Sequence, residues 1–160
     1  MLNNIFQRII NNYINRKNKF PYFFYYALLK NLTKSNLIVP FKNYKFYAST
    51  QKKDLSRWMI KNLAQWDKKN IQIIVGLIKK YKSTFIDCGC NFGAYSIPIA
   101  KKFKNDIIYS IDASDIAIKD LKKNIYLNKI KNIKYFNLGI GEKNITKYFD
   151  DDINKYSNLK

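Results

Sequence analysis

Residues 84–93 read Thr-Phe-Ile-Asp-Cys-Gly-Cys-Asn-Phe-Gly. Thr84–Cys88 predicts a buried strand, because it is a short apolar run bounded by turn residues. Gly89 and Gly93 predict a tight turn after it, since glycine lets the backbone bend without Cβ collisions. The stretch Tyr95–Phe103 then predicts a short helix, with Pro98 in its first turn, where a missing N–H costs little.

The same rhythm continues downstream. Asp106–Ile111 predicts a second strand that ends at Asp112. Ser114 and Asp115 predict a helix start, with Ile118, Leu121 and Ile125 on one face. Asn132–Leu138 predicts a third strand, followed by Gly139-Ile140-Gly141. Strand, helix, strand, helix, strand is the βαβαβ half of a doubly wound parallel sheet.

Chemistry concentrates at the first corner. A helix start aims its amides at the preceding turn. Asp112 lies 23 residues after Gly89, at the tip of the next strand. An acid there accepts hydrogen bonds from ribose hydroxyls. The full G-x-G-x-x-G pattern of a dinucleotide site is absent, and Asn91 stands where a second glycine would be. An acidic corner with few open amides suits a cationic cofactor without phosphate. That points to S-adenosylmethionine and away from NAD. The candidate cofactor residues are Asp87, Gly89, Asn91, Gly93 and Asp112. The bland alternative is a structural βα turn.

Three runs, FIDCGCNFGAYSIPIA, IYSIDAS and LKKNIYLNKIKNIKYFNLGIGEKNITKYF, together resemble the N-terminal part of an FkbM-type methyltransferase domain. The resemblance covers residues 55–149. The family's acid-x-Gly-Ala-Asn-x-Gly-x-Tyr-Ser motif falls on Asp87, Gly89, Asn91, Gly93, Tyr95 and Ser96. Its second acid falls on Asp112, and its helix asparagines on Asn124 and Asn128. Cys90 replaces the usual alanine. Asp112 replaces the more frequent glutamate, and Ala113 follows it in place of proline. The resemblance implies a Rossmann-like class I methyltransferase fold with S-adenosylmethionine as cofactor. It also implies O-methyl transfer to a sugar or glycan-related hydroxyl on a small-molecule or glycan acceptor. It assigns no general base within these residues. In that topology a fourth strand pairs with the first on its other side. The chain reaches Lys160 without a segment that reads as this strand, so a truncated sheet with an unpaired first-strand edge is expected.

The rest of the chain narrows the field. Lys and Arg number 30 against 11 Asp and Glu, a formal charge of +19. Such a balance admits nucleic acid or an anionic surface as partner. Only Arg8, Arg16 and Arg57 are arginines, however, and lysine is the ordinary solvated residue. A nucleic-acid methyltransferase, acting on RNA, is therefore the second reading, and a non-catalytic fragment or binding module the third. Histidine is absent, which excludes His-dependent triads and His-ligated metals. Cys88 and Cys90 alone make neither a disulfide framework nor a structural zinc site. They read as small fillers of a buried corner, and reduced thiols point to the cytoplasm.

Residues 1–50 read as an N-terminal helical extension with a strand, and residues 51–160 as a partial methyltransferase domain. Helices are expected over 2–15, 22–32, 54–64 and 68–81, and a strand over 43–49. Pro40 reads as closing a linker. The aromatic stretch Phe20–Leu29 is too short to span a bilayer, though the N-terminal helices offer a membrane-surface contact. Oligomeric state leaves no mark in the sequence.

Overall fold

Residues 36–41 and 44–49 form a two-stranded ribbon in the computed structural model, which describes residues 36–41, 43–49 and 67–142. Strand β1 (Asn36–Phe41) pairs antiparallel with β2 (Tyr44–Ser49), with Phe41 opposite Tyr44. The expected strand over 43–49 is present. The expected linker at Pro40 is not, because Pro40 lies inside β1 opposite Lys45. Proline, which has no N–H, is confined to strand positions that donate no ladder bond. Phe46 is buried and meets the Tyr44 ring edge-on at 5.6 Å. The expected helices over 2–15, 22–32 and 54–64 lie outside the described residues.

The chain divides into two compact units, Met1–Lys68 and Lys69–Lys160. Helix α1 (Lys68–Tyr81) matches its expected span. Its Ile71, Ile74, Val75 and Ile78 recur at helical spacing and pack toward Ile99, Ala100 and Ile108. Lys79 and Lys80 occupy the last turn, where positive charge complements the helix dipole.

Then come β3 (Ile86–Cys88), α2 (Ser96–Lys102), β4 (Ile108–Asp112), α3 (Asp115–Leu127) and β5 (Ile133–Asn137). The strands lie side by side in the order β3-β4-β5, and both pairings are parallel. This is the Rossmann-like α/β arrangement that the sequence predicts. No helix among the described residues is long and apolar enough to cross a membrane.

Register decides which side chains share a face, since in-register parallel partners point the same way. Asp87, Ser110 and Tyr135 form one row, flanked by Ile108 with Ile133 and by Asp112 with Asn137. The rows Ile86-Tyr109-Lys134 and Cys88-Ile111-Phe136 take the other face. The first face holds the core: Ile97, Ile99, Ile108 and Leu121 are almost fully buried, each burial worth about 1.5–3 kcal/mol. The second face is more open, with Ile86 55% and Phe136 42% exposed.

The expectation that Thr84–Cys88 is a buried strand is therefore corrected. Strand residues begin at Ile86, and only Asp87 of β3 is buried. Among the described residues β3 pairs with β4 alone, and helices α2 and α3 lie against β4.

Asparagine side chains tie the connections together. Asn132 Nδ2 donates to the carbonyls of Ala100, Phe103 and Asp106 at 2.8–3.2 Å. That one amide closes the α2–β4 connection against the start of β5. Asn124 Nδ2 donates to the Phe92 carbonyl at 2.9 Å, which pins α3 beneath the turn. Asn128 caps α3 and donates to the Asn124 carbonyl at 2.8 Å. The start of α3 is held as expected: Ser114 Oγ accepts the Ala117 N–H at 3.0 Å.

Candidate functional site

The turn after β3 is a left-handed excursion held by β4. Gly89 has φ +79° and Asn91 φ +49°. Asn is among the few side chains that visit this region readily. The N–H groups of Gly89 and Cys90 both donate to the Ile111 carbonyl, at 2.8 and 3.0 Å. Gly93 N–H then donates back to the Cys90 carbonyl at 2.8 Å.

The two acids occupy different depths. Asp112, at the tip of β4, is half-buried. Its Oδ2 accepts the Asn91 N–H at 2.8 Å, and its Oδ1 accepts the Ser114 N–H at 2.9 Å. Each oxygen keeps a further lone pair. Asp87 is buried below it, 8% exposed. Its Oδ2 accepts the Ser96 N–H at 3.1 Å and the Ser96 hydroxyl. Burial pushes the Asp87 carboxyl above its ordinary range; the two Ser96 hydrogen bonds pull it back, and the Asp112 charge adds a smaller upward push.

The two glycines also differ. Among the described residues, a Cβ on Gly89 would meet nothing within 4 Å. A Cβ on Gly93 would sit 2.6 Å from Leu121 Cδ1 and 3.1 Å from Ile97 Cγ1. Gly93, at φ +91°, therefore lets the turn lie close against α2 and α3. Of the five predicted residues, Gly89, Asn91 and Asp112 form the open rim. Asp87 and Gly93 form its foundation.

The cysteines separate in the same way. Cys90 is buried, and its thiol is pushed up to about 12, by burial first and then by the charges of Asp87 and Asp112. It fits the filler reading. Cys88 is exposed, because it faces the open side of the sheet, so that reading is corrected for it. Glu142 is exposed at the edge of the described residues.

Sequence reasoning missed Ser110 and Asn137. Ser110 is fully buried in β4, with its Oγ 2.7 Å from Ser96 Oγ. A serine at an inward position of an otherwise apolar strand was the available signal. Asn137 Nδ2 donates to the carbonyls of Asp112 and Ala113, both at 3.0 Å. That fixes the backbone on which the Asp112 carboxylate stands. Only strand register reveals it. A separate cleft of about 580 Å³, lined by Lys79, Ser83, Phe103, Asn105 and Ile107 among others, lies at the opposite ends of the strands.

No family model matches this chain, and no curated protein does. Among solved structures it is similar to M. jannaschii TYW2 in complex with AdoMet, with a TM-score of 0.45 and 22% identity, over 64% of this chain and 43% of that one. It is also similar to coclaurine N-methyltransferase bound to N-methylheliamine and SAH, with a TM-score of 0.39 and 13% identity, over 86% of this chain and 43% of that one. The chain thus spans less than half the length of either structure. Its own topology defines the class: a Rossmann-like α/β unit with an acid-rimmed glycine turn at the carboxyl ends of its strands.

Proposed function

We propose that this chain carries the cofactor half of an S-adenosylmethionine-dependent methyltransferase of FkbM type, acting on a sugar or glycan-related hydroxyl. The observation that carries the reading is the Asp112 carboxylate. Backbone amides of Asn91 and Ser114 fix it at the end of β4, beside a glycine with open space above it. Two spare acceptor positions on one fixed carboxylate suit the two vicinal hydroxyls of a ribose. Ligands of open α/β sheets bind at the carboxyl ends of the strands.

The residues fit the group. Asp112 would hold the ribose, the open backbone at Gly89 would let the ligand approach, and Asp87 would supply negative charge below a cationic cofactor. When bound, the cofactor supplies an electrophilic methyl group on a sulfonium centre. The chain's own contribution is to bind and orient, and alignment of the reacting atoms accounts for much of such catalysis.

Isothermal titration of the full chain with S-adenosylmethionine tests the reading. Saturable binding, weakened about 10- to 100-fold by Asp112→Ala, is expected, because hydrogen bonds to a charged group are worth about 1.5–3 kcal/mol. Absence of binding overturns it. The charge of +19 favours RNA as a second acceptor class. RNA affinity that falls steeply with salt would promote it.

A further inference from the structure

The buried side of the corner holds three polar side chains in a line. Ser110 and Ser96 are both fully buried, and Asp87 nearly so. Ser110 Oγ lies 2.7 Å from Ser96 Oγ, and the Ser96 hydroxyl reaches Asp87 Oδ2. An ionised carboxylate only accepts, so the Ser96 proton points at Asp87. Ser96 Oγ is then an acceptor toward Ser110, and the Ser110 proton points at Ser96. Every proton in the line is directed at the carboxylate.

We propose that Ser110 and Ser96 are positioning residues for Asp87: their one-way hydroxyl relay keeps the buried carboxylate charged and occupies Oδ2, so that Oδ1 is left to accept from a cationic ligand. Among the described residues, the hydrogen bonds to Asp87 all fall on Oδ2. The relay opposes desolvation, which disfavours the charged form. Among the described residues, Asp112 from the end of β4 and Cys90 from the turn are the titratable groups facing Asp87. Asp112 opposes ionisation, and the Cys90 thiol stays neutral. The α2 helix and the body of β4 face Asp87 with neutral serines. The direction of the relay follows from the two oxygen contacts with Asp87 ionised; its ligand rests on the proposed S-adenosylmethionine site.

Carbon-13 NMR titration of the Asp87 carboxyl in the full-length chain reads the relay without any ligand. Ser96→Ala is expected to raise the midpoint by about one pH unit, the loss of a charge-assisted hydrogen bond. Ser110→Ala is expected to raise it less, and Ser110→Thr, which keeps the hydroxyl, to restore it. A Ser110→Ala midpoint equal to or below that of wild type overturns the relay. S-adenosylmethionine titrations across the same pH range add the functional arm. Below both midpoints, Ser96→Ala should bind about tenfold more weakly than wild type, with the gap closing at high pH. A gap that stays constant with pH overturns the link to the ligand. If wild type takes up no S-adenosylmethionine, the cofactor reading falls, and the carbon-13 titration still decides the relay.

Discussion

The main-chain N–H of Asn91 donates to Asp112 Oδ2 at 2.8 Å across 21 residues of sequence. This bond joins the turn after β3 to the tip of β4. It makes the two strand ends one rim, and it fixes the carboxylate by backbone geometry, so the identity of the turn side chain matters through φ alone.

Asn91 at φ +49° therefore gives a sharp contrast between variants. Asn91→Gly keeps the N–H and the left-handed backbone, and should leave S-adenosylmethionine affinity near wild type. Asn91→Val should cost about 1–2 kcal/mol of stability and weaken binding as the turn leaves Asp112. Thermal denaturation and calorimetry of both variants check this.

The two glycines should fail differently. Gly93→Ala places a methyl 2.6 Å from Leu121 Cδ1, so overpacking adds to backbone strain, together about 2–5 kcal/mol. Gly89→Ala meets open space and should cost only the strain of its φ, about 1–2 kcal/mol, while intruding on the ligand. Urea denaturation should rank Gly93→Ala as clearly the less stable. Equal midpoints would contradict the packing role of Gly93.

Asp87 gives stability a pH dependence of known sign. Its folded-state pKa lies above the ordinary 3.8. Its contribution is therefore fully present below about pH 4 and is lost as pH rises through the raised value, because the unfolded chain releases the proton first. Unfolding free energies of wild type and Asp87→Asn should diverge over that window, with wild type losing ground toward neutral pH. A difference that is flat with pH would show that the burial penalty is absent.

The two thiols should react unequally. Cys88 is exposed, whereas Cys90 is buried with its thiol pushed up to about 12. Thiolate is the reactive form. Brief treatment of the folded chain with iodoacetamide near neutral pH should label Cys88 and spare Cys90, as read by peptide mass spectrometry. Unfolding in urea should expose both.

Much of the chain from α1 to β5 was legible from local signals. The helix over 68–81, the cap at Ser114 and the three strand positions follow from periodicity and capping chemistry, which depend on residues close in sequence. The glycine turn and Asp112 followed from spacing. Pro40 inside β1 was not legible, because its neighbours read equally well as a linker until β2 supplied a partner.

The sequence by itself determined the order of strands and helices from α1 to β5, the two acids and the glycine turn, because each is a local pattern. The tertiary structure alone decided the division of labour among them. Register put Asp87 beside Ser110 and Asp112 beside Asn137; packing put Gly93 under Leu121 and left Gly89 open. Depth, partner and free lone pair arise only when separate segments meet, and no single segment encodes them.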